Sequence, residues 1–234
     1  HDAPTSGVSA QYKVGKGEQL QVKMAISYVS IENAKENLER ECNHWDFDRV
    51  RNQSQQEWNE WLGKIDVDGG TDAQKIKFYT DLWHTLLGRH KLDDYNGEYP
   101  DYTTGERVGS HTINAQLKVR QLPRDKEEKP LHHMYNSDAF WLTQWNLNTL
   151  WALAYPSVLD DFAACLLQYD TNGGLLPRGP CAGGYSYIMT GCPATSLITA
   201  AYQKELTRKW QPVKAYHTIK RNHAKGGMLG LDMD

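Results

Sequence analysis

The sequence predicts a mainly α fold, part of an α/α toroid, with a short β segment ahead of it and a β-containing insertion within it. Three observations carry this reading. Apolar residues recur at three- and four-residue spacings over most of the chain. The helices so marked come in pairs joined by short turns, the pattern of helical hairpins. Only two stretches, 8–29 and about 88–133, break that pattern.

Taken in order, residues 8–29 alternate in hydropathy around a Gly15-Lys16-Gly17 turn. They read as a hairpin with Leu20, Val22, Met24 and Ile26 on one face of its second strand. At Ser30 the pattern changes to helical, which marks a module boundary. A polar helix covers Ile31 to Glu41. A second follows the N-cap Asp46 through Val50, Trp58, Trp61 and Leu62, and a short strand, KIDVD, ends at Asp68-Gly69-Gly70. Thr71-Asp72-Ala73-Gln74 has capping-box form and opens a helix with Ile76, Tyr79, Leu82, Trp83, Leu86 and Leu87 on one face.

From 88 to 133, glycines and prolines punctuate the chain, and HTINAQLKVRQL reads as one or two strands. A connection this long is a functional loop or a small β insertion, with the charge run Arg124–Lys129 as its solvated tip. A helix is then predicted from the N-cap Ser137 to about Ala154, where Tyr155-Pro156 disfavours continuation. SVLDDFAACLLQY follows as a second helix that stops at Asn172-Gly173-Gly174. Two more are expected, at 195–207 and from Pro212 to His223, for six to seven helices in all. That number does not close a twelve-helix toroid, so the chain reads as part of a larger protein.

Composition narrows the function. A formal charge of -3 gives no polyanion-binding signature, which counts against nucleic acid as a partner. No apolar run approaches the ~20 residues that span a bilayer. Eight Trp and thirteen Tyr against four Phe is a set weighted toward amphipathic rings, as where polar ligands are stacked or an interface stays wet. The four cysteines fit no C-x-x-C spacing. Free thiols are the simpler reading, although Cys181 and Cys192 could pair in an oxidising compartment.

The stretch MYNSDAFWLTQWNLNTLW, Met134 to Trp151, packs Phe140, Trp141, Trp145 and Trp151 together with Asp138, Gln144, Asn146 and Asn148. Ring faces cover the C–H patches of a polyhydroxylated ligand while carboxylates and amides pair with its hydroxyls. A Trp-rich core helix is the competing reading. Trp141 and Trp145 lie four apart, on one face of the predicted helix with Asn148; Trp151 reads as core. Arg178, after a Pro in a Gly-rich loop, suits either a pair of ligand hydroxyls or a structural acid. His84, His132 and His133 have no metal spacing, and Asp93, Asp94 and Asn96 before Gly97 read as a turn more readily than as a calcium loop. Cys192 in TGCPAT has no evident base partner.

The order of blocks resembles a known family. SYVSIENAKENLERE, WDFDRVRNQSQQEWNEWLGKIDV, KFYTDLWHTLL with DDYNGEY, SDAFWLTQWNLNTLWALAYPSVL, GGLLPRGP and MTGCPATSLITAAYQKEL together resemble the catalytic domain of glycoside hydrolase family 92, the calcium-dependent exo-α-mannosidases. The resemblance runs from about Val22 to Gly230. It implies an N-terminal β-sandwich packed on an (α/α)6 toroid, with residues 1–29 ending the sandwich and 30–234 forming the first half of the toroid. It implies inverting hydrolysis of terminal, α-1,2-linked mannose in glycans, with Ca2+ contacting the sugar, and a secreted or periplasmic location is expected. The remainder of the same polypeptide, or a second chain, would complete the toroid.

The family's acid lies in a Glu-Gly-Asn block and its base in an Asp-Asp-x-Gly block, and neither occurs here. No catalytic residue or metal ligand is therefore assigned in this chain; the catalytic pair is expected downstream of Asp234. By resemblance Asp138 binds the mannose hydroxyls, with Trp141, Trp145 and Arg178 shaping the pocket. Two departures bear on the substrate. The family's Trp-Asp-x-Phe-Arg reads Ser137-Asp138-Ala139-Phe140-Trp141, and its Asn-Glu-Thr after GGLLPRGP reads Gly184-Tyr185-Ser186. A non-catalytic carbohydrate-binding relative or a helical scaffold is the alternative.

Overall fold

The computed structural model describes residues 7, 9–87, 90–136, 140 and 142–230. The first segment is not the predicted hairpin. The turn forms, with Gly17 left-handed and Glu18 N–H donating to Gly15 O at 3.1 Å, yet no strand ladder occurs among the described residues before Ile31. The alternation is nonetheless real. Val22, Met24 and Ile26 point outward, Met24 at 87% exposure, while Lys23, Ala25 and Ser27 turn inward. A lone hairpin is marginal in water, and among the described residues nothing covers the apolar face that would stabilise it.

Three helices follow. The first, α1 (Ile31–Glu41), is capped by Ser30 Oγ and buries only Asn33 and Asn37. Hydrogen bonds hold it in place of apolar contact. Asn33 Nδ2 donates to Asp94 and Glu98 at 2.8 Å each, and Asn37 Nδ2 donates to Asp94 at 2.8 Å. Ser27 Oγ adds a third donor to Asp94 at 2.6 Å, so one carboxylate gathers the extended segment, α1 and the β insertion. The next, α2 (Phe47–Leu62), starts at Asp46 as predicted and has no fully buried residue; Trp61 and Leu62 attach it to the core. In α3 (Asp72–Leu86) the capping box between Thr71 and Gln74 is formed. KIDVD between α2 and α3 is irregular: Tyr79 takes Ile65 O as its acceptor, and no strand among the described residues pairs with it.

The insertion is built from antiparallel pairs. Strands β1 (His90–Lys91), β2 (Glu98–Asp101), β3 (Glu106–Val108), β4 (His111–Ile113), β5 (Lys118–Gln121) and β6 (Tyr135–Asn136) pair as β1 with β6, β2 with β5 and β3 with β4. HTINAQLKVRQL thus supplies two strands, each with a different partner. Asp94 N–H reaches Glu98 O and Gly97 N–H reaches Asp94 O, both at 2.8 Å, so the Asp-Asp-x-Asn-Gly stretch is the turn into β2.

The helix predicted for 137–154 is shorter. Helix α4 spans Leu147–Ala154. Ahead of it Thr143 and Trp145 donate to the carbonyls three residues back, and Leu142 is left-handed, which breaks helical continuation. The expected N-cap Ser137 lies outside the described residues. After the Tyr155-Pro156 stop, α5 (Pro156–Gly173) runs on to a left-handed Gly174 and is buried almost all round. A short pair, β7 (Pro180–Cys181) and β8 (Gly184–Tyr185), precedes α6 (Pro193–Gln203) and α7 (Pro212–Asn222), both begun by proline. Helix α6 stops four residues early, where Glu205 is left-handed and Leu206 N–H closes back on Ala201 O. Seven helices are present among the described residues, and none is long and apolar enough to cross a membrane.

The core surrounds α5. Phe162 stacks on Tyr135 at 5.1 Å and meets Phe140 and Trp151 at 5.9 and 6.1 Å. Asp161 and Asp170, inside this apolar helix, are partnered by distant segments. Asp161 accepts from Tyr135 Oη and Lys209 Nζ, both at 2.6 Å, and from His133 N–H at 3.1 Å. Asp170 pairs with Arg221 and accepts from Thr218 at 3.0 Å, fastening α7.

Asp161→Ala should cost about 3–5 kcal/mol, because it strands Lys209 and the Tyr135 hydroxyl; urea unfolding measures it. A second expectation concerns pH. Burial lowers the His132 pKa, against opposing pulls from the His133 carbonyl, Asp161 and Asp93. The folded chain therefore holds this ring neutral, while the unfolded chain binds a proton near pH ~6.5. Stability is complete above that value and falls as pH drops below it. His132→Gln should lose less stability than the parent between about pH 7.5 and 5.5, and thermal melts at the two pH values test this.

Candidate functional site

Strand β6 leads directly into the aromatic stretch singled out above, and the surrounding chain fixes it on every side. Its register with β1 pairs His90 with Asn136 and Lys91 with Tyr135. Tyr135 N–H points to Cys165 Sγ at 3.2 Å, its carbonyl accepts from Tyr169 Oη at 3.3 Å, and its hydroxyl is spent on Asp161. Burial first, and the Asp161 charge second, hold that phenol far above its ordinary pKa, so it stays a donor. Burial likewise keeps the Cys165 thiol protonated and inert as a nucleophile.

Asn136 joins this strand to the opposite wall. Its Oδ1 accepts the Ala182 N–H at 2.8 Å, at the tip of the β7–β8 pair. Ala182 and Gly183 are both left-handed there, and Gly183 O accepts the Tyr102 N–H at 3.0 Å. A Cβ on Gly183 would collide with Pro100 O, so the glycine permits the close approach of this loop to β2.

Arg178 lies beneath the same loop, only 2% exposed. Its guanidinium donates to Met189 O at 2.7 Å and to Met228 O at 2.9 Å. Both of these acceptors are backbone carbonyls. Through these two bonds Arg178 clamps the 179–191 loop to the segment after α7.

Trp145 stands in the turn ahead of α4, 76% exposed, and shares no helical face with Asn148. Leu142, Gln144 and Asn146 beside it are exposed as well. Asp138 and Trp141 lie outside the described residues. Trp151 is core. Asn148 was read only as part of the stripe, yet it is 3% exposed and both of its amide atoms lack a hydrogen-bond partner. Such a group costs about 1–3 kcal/mol when left unsatisfied. Leu142, Ala182 and Met189 add left-handed backbone at non-glycine positions, which collects near sites that bind or move.

Sequence reasoning missed Asn136, Tyr135 and Asp161. The signal for the last was present, since an acid pair in SVLDDFAACLL sits where only partnered charges survive. The described residues offer no group of three or more His, Cys, Asp or Glu that could hold a metal ion. Asp94 is committed to Ser27, Asn33 and Asn37, and Asp93 to His133 Nδ1 at 2.7 Å and Met134 N–H at 2.8 Å. These donors do not fit a calcium site, and no chemical step is assigned through the ion here. All four cysteines are free thiols, Cys181 exposed and Cys192 half-buried.

Arg178→Lys should cost about 1.5–3 kcal/mol, because an ammonium cannot span both carbonyls. Faster amide exchange across 179–191 than in α5 would accompany it. Unchanged exchange in that loop would show that the clamp does not hold it.

Residues 33–230 match the Glycosyl hydrolase family 92 catalytic domain. Two solved structures share the fold. One is a family 92 inverting mannosidase from Bacteroides thetaiotaomicron VPI-5482, with TM-score 0.67 and 24% identity over 85% of this chain and 24% of that one. The other is a family 92 α-mannosidase from Bacteroides thetaiotaomicron, with TM-score 0.68 and 21% identity over 83% of this chain and 24% of that one. An uncharacterized secreted glycosidase of Arthroderma benhamiae is 26% identical over 92 residues, 38% of this chain and 12% of its own length. The chain thus spans about a quarter of the solved relatives and an eighth of the curated one. On the match across 33–230, this chain belongs to the glycosyl hydrolase family 92 catalytic domain family.

Proposed function

We propose that these residues form one wall of the sugar site of an exo-α-mannosidase that acts on terminal, α-1,2-linked mannose of glycans. The observation that carries this is the family match over 33–230 together with the fixed geometry around β6. Asp138 follows Asn136 by two residues, so the ladder, the Ala182 tether and the Tyr135–Asp161 bond set where the segment bearing it begins. Its carboxylate would accept two sugar hydroxyls, as only a charged acceptor can without a competing donor. Trp145 would cover a C–H face, and Arg178 would act indirectly by holding the 179–191 loop.

In this reading the first 29 residues end a β-sandwich and residues 30–234 begin the toroid. The general acid and base belong to the toroid's other half, spaced about 6.5–9.5 Å apart so that a water can attack with inversion. Calcium would bind there too, and the protein would work outside the cytoplasm, as the name of the Arthroderma relative suggests. The altered flanks of Asp138, Ser137 and Trp141, support a second reading: a relative that binds glycan without turning it over.

The complete protein, with calcium, should release mannose from α-1,2-mannobiose, with the β-anomer appearing first by NMR. Asp138→Ala should lower kcat/KM by about 10²-fold or more, the worth of two lost charge-assisted hydrogen bonds. Binding without release would establish the second reading. Neither binding nor release would end both.

A further inference from the structure

We propose that Cys192 is a modification site, a nucleophilic thiol that exchanges with low-molecular-weight disulfides. The base that TGCPAT lacks in sequence comes from the end of α7. Cys192 Sγ lies 3.4 Å from Thr195 Oγ1, and that hydroxyl lies 2.8 Å from His223 Nε2. Thiol, hydroxyl and imidazole are thus joined in one chain of proton-transfer contacts. Asn222 Nδ2 also donates to the sulfur, at 3.0 Å. Its amide is held in that orientation, because Oδ1 accepts from Leu176 N–H at 3.0 Å and Met228 N–H at 3.3 Å, and the residue is only 2% exposed. Cys192 is the N-cap of α6, yet its side chain makes no capping bond, which leaves the sulfur to these partners at the positive end of the helix.

The step balances. The thiol proton passes to the Thr195 hydroxyl as that hydroxyl gives its own hydrogen to His223 Nε2. The thiolate so formed accepts from both Thr195 and Asn222. It attacks one sulfur of a disulfide R–S–S–R: the Cys192 S–S–R bond forms and the original S–S bond breaks. The leaving thiolate R–S⁻ takes the proton from His223 and departs as R–SH. Cys192 is oxidised to the mixed disulfide, and the other half of R–S–S–R is reduced. Access is open on the base's side, since His223 is exposed and Cys192 is half-buried. None of this depends on the mannoside reading.

Cys181 provides the internal reference. It is the exposed thiol, so exposure alone ranks it above Cys192, whereas the relay ranks Cys192 first. The whole protein is treated with oxidised glutathione at neutral pH and quenched with acid. Chymotryptic peptides, which separate the two cysteines at Tyr185 and Tyr187, then give the rate of thiolation at each. Cys192 should react faster than Cys181. His223→Gln and Thr195→Val should each slow Cys192 about tenfold, the worth of one lost hydrogen bond to a charged group, and leave Cys181 unchanged. Thr195→Ser keeps the hydroxyl and should retain the parent rate, which separates a lost relay from a disturbed helix start. A Cys192 that reacts no faster than Cys181 overturns the proposal. So does an advantage that survives both His223→Gln and Thr195→Val, or a loss that falls equally on the two cysteines.

Discussion

The carboxylate of Asp161 is the interaction on which the rest of the structure depends. It is buried in the middle of α5, and its partners come from β6 and from the loop before α7. A charge in that position is tolerated only if its lone pairs are filled, and each filler is a segment that must be in place. Tyr135 sets the start of the aromatic stretch, and Lys209 brings the loop before α7 across the helix. The hydrophobic core gives these elements a reason to cluster; the acid gives them one arrangement.

The same helix shows three solutions to one problem. Asp161 is matched by an ammonium and a phenol, and Asp170 by a guanidinium and a hydroxyl. Asp160 is met by burial, which raises its carboxyl pKa against the pull of Lys209 and nearby backbone N–H groups. Charge pairing locks geometry, whereas a raised pKa only lowers the charge to be housed. Asp161 and Asp170 thus fasten neighbouring elements through ion pairs, whereas Asp160 meets the 208–210 loop with a carboxyl that burial makes harder to ionise.

Much of this was legible in the residues. Local chemistry fixed the helix starts, since Ser30, Asp46 and Thr71 accept bonds from their own next turn. The Tyr155-Pro156 stop and the Gly174 terminus are equally local. What failed depended on neighbours. The helix expected from Ser137 gave way to turns at Leu142 and Thr143, and the strand expected at KIDVD finds no partner among the described residues. At the site, Arg178 could be singled out by type, but its two carbonyl acceptors lie 11 and 50 residues away. Asn136 carries no motif at all; it matters because a loop 46 residues later folds back onto it.

The outward-facing row Val22, Met24 and Ile26 has a consequence for how the chain behaves during synthesis. An extended backbone that forms no strand ladder among the described residues, with apolar side chains on one face, is a template for intermolecular strand addition. Lys23, between two of those residues, is occupied elsewhere, its ammonium bonded to Cys42 O and His44 O, and gives little repulsion along that edge. The stretch is therefore an edge open to strand addition while the helical core keeps its packing.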